Sequence, residues 1–478
     1  MGVREMCVRT GRIMTAIAMT IVLSVLGAGP AAGGGADWTG YLFDARHGSW
    51  NAAATAITPA DAAGLTPDWT FTAAAPVGDQ PVAAFVASPT VAGGRVFIGA
   101  NTGVFTALDE ATGDPLWSRD LGHVTMKTCT ARGITSTATV AWDASRGEDA
   151  VYVGGGDGYL YAMAADDGEQ LWRSLVVEPG VTENAGYNWA SPIVLDGRVL
   201  MGVSSECDRP LVRGGLRQFD QATGARTGTY WSMPKGLIGA SVWTSPASRS
   251  GDVWITTGNA PGGGQPGDSY SMLRIGASTL AREDRWVVPG ADQDLDWGSS
   301  PTLFERRVDG RTQRLVGACS KSGRYYALRA GDLHAGPVWS RRLGVDAREP
   351  NGGSCLAATI WDSGRKQLIA GANRTTLEGV TVPGSLRALS PRDGAVRWAT
   401  ALPDGPVMGA PTLNGSGVVA AGTYDSADPT TNAVYLVDAA DGAILRTIAV
   451  TSPVFAQPVF AGSHLSVADT GGTLTAYV

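Results

Sequence analysis

Between Ser204 and Tyr326 the chain carries, in order, Glu206, Trp243, Asn259, Asp268 and Lys321. Two carboxylates and an amide are hard oxygen donors of the kind calcium takes. A carboxylate can also accept a hydroxyl proton, an ammonium can favour negative charge as it develops, and an indole offers a flat face. Each residue alone has a plainer reading. Asn259 after Thr257-Gly258 reads as a turn, Asp268 in a Gly-rich loop as a solvated turn, and Trp243 as a core ring. Arg132, in Ala131-Arg132-Gly133, reads alone as a surface charge. Lys321 differs, because lysine occurs only at 127, 235, 321 and 366. What sets the group apart is its order over successive segments.

Those segments are repeats. Ala107-Leu108-Asp109-Glu110-Ala111-Thr112-Gly113-Asp114-Pro115-Leu116-Trp117 recurs in near copies at Ala162 to Trp172 and Ala388 to Trp398, and more weakly at Phe219 to Gly224 and Val437 to Gly442. Ser-Pro or Ala-Pro stands upstream, at Ser88-Pro89, Ser191-Pro192, Ser245-Pro246, Ser300-Pro301 and Ala410-Pro411, with Gln457-Pro458 as a variant. A period of roughly fifty residues belongs to propellers and solenoids. An apolar strand ends at Ala-Leu, Asp, Thr and Gly supply the turn, and the next strand brings Trp across to the neighbouring repeat. Four short strands cannot bury both faces alone, so the copies stack radially. The predicted fold is all-β, an eight-bladed β-propeller. Pro67 to Phe71 reads as a lone strand and Gln457 to Val478 as an incomplete repeat, so the N-terminal strand closes the ring. On such a ring, matching positions of successive blades converge on the central channel.

The chain has 478 residues and a net charge of −7, which argues against nucleic acid as a partner. Arg4, Arg9 and Arg12 precede an apolar run from Ile13 to Leu26 and then small residues. This reads as a secretory signal over 1–32 ahead of a propeller domain over 37–478. The run is short for a membrane span, so the mature chain is expected in the periplasm or outside the cell, with no integral span. Asp37 to Pro67 reads as an irregular lead-in. Cys129, Cys207, Cys319 and Cys355 allow two disulfides in three pairings. The expected pairs are Cys129–Cys207 and Cys319–Cys355, because each links nearby blades.

At these residues the sequence resembles the pyrroloquinoline quinone (PQQ) dehydrogenases, over nearly the whole mature chain. The repeat is similar to that family's tryptophan-docking repeat, and Leu65 to Phe71 to its opening strand. Within the family the chain looks most like polyvinyl alcohol dehydrogenase. The resemblance implies PQQ and calcium as cofactors, with Glu206 and Asn259 as calcium ligands. It implies Asp268 as the base and a further metal ligand, and Trp243 as the ring beneath PQQ. Arg132 would reach the cofactor, and Lys321 would stand at the quinone oxygens. The implied activity is oxidation of a small or polymeric alcohol or polyol, with hydride passing to PQQ and electrons to a separate acceptor, since no Cys-x-x-Cys-His haem signature is present. Two departures stand out. Thr128-Cys129 replaces the vicinal cysteines that cap the cofactor in many members, and Asp292, Asp294 and Asp296 replace the usual acidic cluster. The alternative is a non-catalytic propeller, a binding or assembly scaffold, which explains the repeat equally well but not the ordered polar set. A hydrolase lacks an obvious nucleophile set.

Overall fold

Each repeat turn is built from its own side chains. Oδ1 of Asp109 accepts from the backbone nitrogens of Ala111 and Thr112 at 2.9 and 3.0 Å, and Gly113 takes φ +73°. A β-carbon on Gly113 would lie 2.5 Å from the ring of Trp69, so the glycine is the seat on which that indole rests. The Trp69 Nε1 donates to the Glu110 carbonyl of the same turn at 3.0 Å. The arrangement recurs for Trp117 on Gly168, Trp172 on Gly224, Trp339 on Gly394 and Trp398 on Gly442. Each docked ring joins one sheet to the next, adding contact area and a directed hydrogen bond.

In the computed structural model, residues 1–2, 37–125, 130–178, 186–262, 264–292, 294–348 and 355–478 are described. The secretory segment expected over 1–32 lies, apart from Met1 and Gly2, outside them. So does Cys129, and with it the expected Cys129–Cys207 pair. Among the described residues no helix is long and apolar enough to cross a membrane.

Residues Gly33–Val478 form one compact unit, a ring of eight antiparallel sheets of four main strands. Blade 1 has the strands Thr90–Ala92, Arg95–Gly99, Val104–Asp109 and Pro115–Asp120, innermost first. Blade 3 runs from Ile193–Leu195 to Arg226–Trp231, blade 4 from Ala247–Arg249 to Arg282–Val287, and blade 5 from Thr302–Val308 to Asp332–Arg342. Blade 8 contains Val459–Ala461, His464–Ala468 and Thr473–Tyr477, and its outer strand is Pro67–Thr72, paired antiparallel with Thr473–Tyr477. The expected closure by the N-terminal strand is what is found.

The Ser-Pro positions line the channel. The backbone nitrogens of Ser88, Thr137, Ser191 and Ser245 donate in turn to the hydroxyls of Thr137, Ser191, Ser245 and Ser300, at 2.9–3.0 Å, and Gln457 donates to Ser88. This belt passes from blade to blade. At two positions it has Ala358 and Ala410 instead, and Leu42 packs on both. Leu42 belongs to a lead-in that the sequence presents as irregular. Residues 38 to 51 run around one end of the channel and bond the inner strands of blades 1, 2 and 4 to 7 in turn: Trp38 with Val91, Thr39 with Val140, Ala45 with Ser248, Arg46 with Leu303, Gly48 with Trp361 and Ser49 with Leu413. Asn51 completes the circuit on the Phe460 carbonyl at 2.9 Å.

The expected Cys319–Cys355 disulfide is present, with Cα atoms 5.7 Å apart. It ties the second strand of blade 5 to the loop leading to blade 6. In the loop-entropy account, a closed loop of this length stabilises by about 4 kcal/mol.

Candidate functional site

The loops at the channel end opposite the lead-in carry the polar set, because that end holds the enlarged connections of blades 3 to 5. Ser205 and Ser241 share a hydroxyl contact at 3.1 Å, and the Val242 nitrogen bonds the Val203 carbonyl at 3.0 Å. These bonds set the Glu206 loop beside the Trp243 loop. The Gly258 nitrogen donates to the Ser241 carbonyl at 2.8 Å, and the Ala240 nitrogen to the Asn259 carbonyl at 2.7 Å, which adds the Thr-Gly-Asn loop. Backbone bonds from Lys321 to Asp296 (2.9 Å) and from Gly298 to Cys319 (2.8 Å) add the loop before blade 5. The structure thus brings Glu206, Trp243, Asn259 and Lys321 onto one continuous arc.

The centre of the arc is Asp296. Its Oδ2 accepts from Trp243 Nε1 at 3.1 Å, and its Oδ1 lies 2.8 Å from Lys321 Nζ, an ion pair without the alignment of a hydrogen bond. Lys321 Nζ also meets Asp294 at 2.6 Å and stands 5.2 Å from the centre of the Trp243 ring. A methyl on Gly258 would sit 3.4 Å from Asp296 Oδ2, so the Thr-Gly-Asn backbone walls the carboxylate closely. Burial pushes the Asp296 carboxyl up to about 6, against the pull of Lys321. Burial pushes Lys321 down, but Asp296 and Asp294 together outweigh it and hold the ammonium above its ordinary value.

Asp268 is not brought to this arc. Its loop is fixed by the Asp268 nitrogen on the Ser232 carbonyl at 2.8 Å. Its carboxylate turns to the seam between the outer strands of blades 3 and 4. There it accepts from the Tyr230 hydroxyl and Arg282, with Arg285 at 3.4 Å. The physical reason is charge: a buried carboxylate goes where two guanidiniums and a phenol meet it. The seam lacks a docked tryptophan, and this cluster ties Tyr230 of blade 3 to Arg282 and Arg285 of blade 4. Sequence reasoning named Asp296 only within the acidic cluster Asp292, Asp294 and Asp296 and did not place it at the centre of the arc. The available signal was its place four residues before Ser300-Pro301, on the same kind of channel-entering loop as Trp243 before Ser245-Pro246.

Glu206 holds the other end of the arc. Its Oε1 accepts from Arg132 Nε at 2.7 Å, and the Arg132 guanidinium stacks 4.9 Å from the centre of the Trp189 ring. Trp189 Nε1 donates to the Glu206 carbonyl at 2.9 Å. Burial pushes the Glu206 carboxyl up, opposed by Arg132. Among the described residues its Oε2 is buried without a hydrogen-bond partner. One orphaned carboxylate oxygen on the arc fits a hard cation. A cavity of about 270 Å³ lies in the channel, lined by Trp243, Trp189, Tyr41, Met408, Phe455 and the belt hydroxyls. A separate group, Asp284, Asp332 and His334, sits on the outer strands of blades 4 and 5, where the imidazole pairs with both carboxylates.

The family model described as "Outer membrane protein assembly factor BamB", built on the PQQ-type repeat, matches residues 57–226, 135–295 and 382–478, more than half of the chain. The quinohemoprotein alcohol dehydrogenase ADH IIB of Pseudomonas putida is 25% identical over 281 residues, 51% of this chain and 39% of that protein. A polyvinylalcohol dehydrogenase of a Pseudomonas species is 24% identical over 399 residues, 73% of this chain and 57% of that one. The BamB assembly factor of Yersinia pestis is 25% identical over 257 residues, 54% and 56% of the two chains. The chain spans about half the length of the curated relatives it matches. Among solved structures, the quinohemoprotein alcohol dehydrogenase of Comamonas testosteroni superposes with TM-score 0.72 at 17% identity, over 93% of this chain and 80% of that one. A europium-containing methanol dehydrogenase gives 0.73 at 14% identity, over 93% and 98%. At these identities the likeness speaks to the fold, the eight-bladed propeller.

Proposed function

The chain belongs to the PQQ-repeat propeller family, and from that premise we propose that it is a quinoprotein dehydrogenase acting on an alcohol or polyol, with PQQ and calcium as cofactors. The observation that carries the proposal is Asp296, a buried carboxylate held between the Trp243 indole and the Lys321 ammonium. A carboxyl at the channel mouth with its pKa raised to about 6 suits a base working close to neutral pH.

PQQ would supply the hydride acceptor and calcium the Lewis acid. Glu206 and Asn259 would hold the metal, with the orphaned Oε2 of Glu206 as the open donor. Arg132 and Lys321 offer charge to an anionic ligand, and Trp243 a flat apolar face. Asp296 takes the hydroxyl proton, in the role the sequence assigned to Asp268. Trp243 orients Oδ2 of Asp296, and Lys321 steadies the charged form at Oδ1, which it can yield to the substrate hydroxyl because Asp294 also holds the ammonium. Hydrophobic cover from Trp189 and Trp243 limits water at the site. The Cys319–Cys355 bond supports an oxidising compartment, hence a place outside the cytoplasm.

The scaffold reading draws on the BamB relatives, which match about half of this chain. Purified protein supplied with PQQ and calcium should develop cofactor absorbance and reduce an artificial electron acceptor when given alcohols. Asp296→Asn should bind PQQ and fail to turn over. Wild type that never binds PQQ with calcium present sinks the enzyme and leaves the scaffold.

A further inference from the structure

We propose that Arg132 is a built-in counter-cation for Glu206, holding that carboxylate in the metal-free protein and competing with calcium for it. The proposal rests on the reading of Glu206 as a metal ligand and concerns what this chain does before a metal arrives.

The two partners are unequal. The Glu206 side chain is 1% exposed and that of Arg132 29% exposed, with Nε and Oε1 2.7 Å apart. The carboxylate is the charge that cannot leave, and the guanidinium stands at the edge and can. A buried carboxylate left without a cation is strongly destabilising. Arg132 removes that penalty, but only at Oε1, since Oε2 is buried and makes no hydrogen bond.

Trp189 positions both partners: its face carries the guanidinium, and its Nε1 holds the Glu206 carbonyl at 2.9 Å. The backbone beneath Arg132 is also fixed. Arg132 and Val124 exchange two backbone bonds at 2.7 and 3.0 Å, the Gly133 nitrogen donates to Asn101 Oδ1 at 3.3 Å, and the Tyr187 hydroxyl donates to the Gly133 carbonyl at 2.5 Å. Movement is therefore confined to the side chain. A guanidinium on Oε1 repels a divalent ion brought to Oε2 of the same carboxylate and withholds Oε1 from bidentate ligation. Calcium either binds Oε2 against that repulsion or displaces the guanidinium from Oε1, and in both cases the ion pair lowers the apparent affinity of the site for metal.

The test uses the full purified chain and calcium alone, without quinone. Calorimetric calcium binding and melting curves are compared for wild type, Arg132→Gln, Glu206→Gln and the double variant. Glutamine keeps much of the reach over Trp189 and removes the charge. Arg132→Gln should bind calcium about tenfold or more tightly than wild type, since even part of a buried pair's strength exceeds the 1.4 kcal/mol of a tenfold change. It should melt below wild type in chelator and recover with calcium. With Glu206→Gln, calcium binding is lost, and adding Arg132→Gln then changes melting little, the signature of a coupled pair. If Arg132→Gln fails to fold, Arg132→Met is read the same way, because it too removes the charge while keeping an apolar stem over Trp189. Calcium affinity no higher than wild type in these variants overturns the proposal while the metal site stands. Absence of calcium binding in wild type and in every variant overturns the metal site itself, and the proposal with it.

Discussion

The backbone nitrogen of Leu42 donates to Oε1 of Gln457 at 3.2 Å, across 415 positions of sequence. The same Gln457 side chain gives its Nε2 to Ser49 Oγ at 3.0 Å and to the Pro411 carbonyl at 3.1 Å. One amide thus joins the lead-in at two points, the channel belt and the last blade. The ring is closed twice, by the outer strand Pro67–Thr72 and by the lead-in around the channel end.

Gln457→Ala should therefore lower the unfolding free energy by about 3 kcal/mol, because it strands buried donors and acceptors rather than exchanging them with water. Gln80→Ala is the control, since Gln80 makes its bond to Val77 on the exposed surface. Denaturant midpoints check this, and equal midpoints for the two variants refute the double closure.

His47 makes the lead-in sensitive to acid. It is fully buried, with Nδ1 2.8 Å from the Pro301 carbonyl, and burial lowers its pKa from the ordinary 6.5 to about 4. The unfolded chain then binds more protons than the folded one between pH 6.5 and 4, so stability is present above pH 6.5 and is lost as the pH falls through that window. A shift of this size is linked to up to about 3 kcal/mol. His47→Gln should flatten that part of the stability curve, and an unchanged acid limb would remove His47 as its source.

The docking seats can be tested against backbone strain alone. Gly168 and Gly147 both have positive φ, +71° and +76°, but a β-carbon on Gly168 meets the Trp117 ring at 2.5 Å while one on Gly147 meets nothing. Gly168→Ala should cost roughly 2 kcal/mol more than Gly147→Ala, the extra being displacement of the ring. Similar melting of the two variants would mean that the indole yields freely.

The blades were legible because each repeat states its own turn. Asp109, Thr112 and Gly113 make their bonds within a few positions, and Trp117 follows at a fixed distance. The lead-in was not legible. Residues 38 to 51 hold on to other blades largely by backbone bonds, which impose no side-chain period, and the side-chain traces are scattered: Gln457, His47, Asn51 and the pair Ala358 and Ala410 where Leu42 needs room. Within the polar set, chain order marked the loops that meet. It could not mark which way a loop turns its aspartate. Asp268 is claimed by Arg282 and Arg285 of its own blade and by Tyr230 of blade 3, and Asp296 by Lys321 and by Trp243 from the loop entering blade 4, pairings set by the folded loops and the neighbouring blade.

That difference between the two aspartates gives the sharpest expectation for activity. Asp296→Asn keeps the shape of the side chain and the bond from Trp243, and removes the base. Turnover should fall by roughly a hundredfold or more, in the range for loss of a general base. The wild-type rate should rise with pH through about 6, where the buried Asp296 ionises, and this limb should vanish in the variant. Ionisation also has a stability side. Because the folded value lies above the ordinary 3.8, the folded state binds the extra proton, and Asp296's contribution falls as pH rises from about 4 to 6. Asp268→Asn should behave in the opposite sense. It leaves Arg282 and Arg285 without their carboxylate at the blade 3–4 seam, so the protein should melt lower while the surviving folded fraction turns over at nearly the wild-type rate. Should Asp268→Asn abolish turnover at unchanged melting temperature while Asp296→Asn retains it, the base is Asp268 and the loop that carries it must turn inward when substrate is bound.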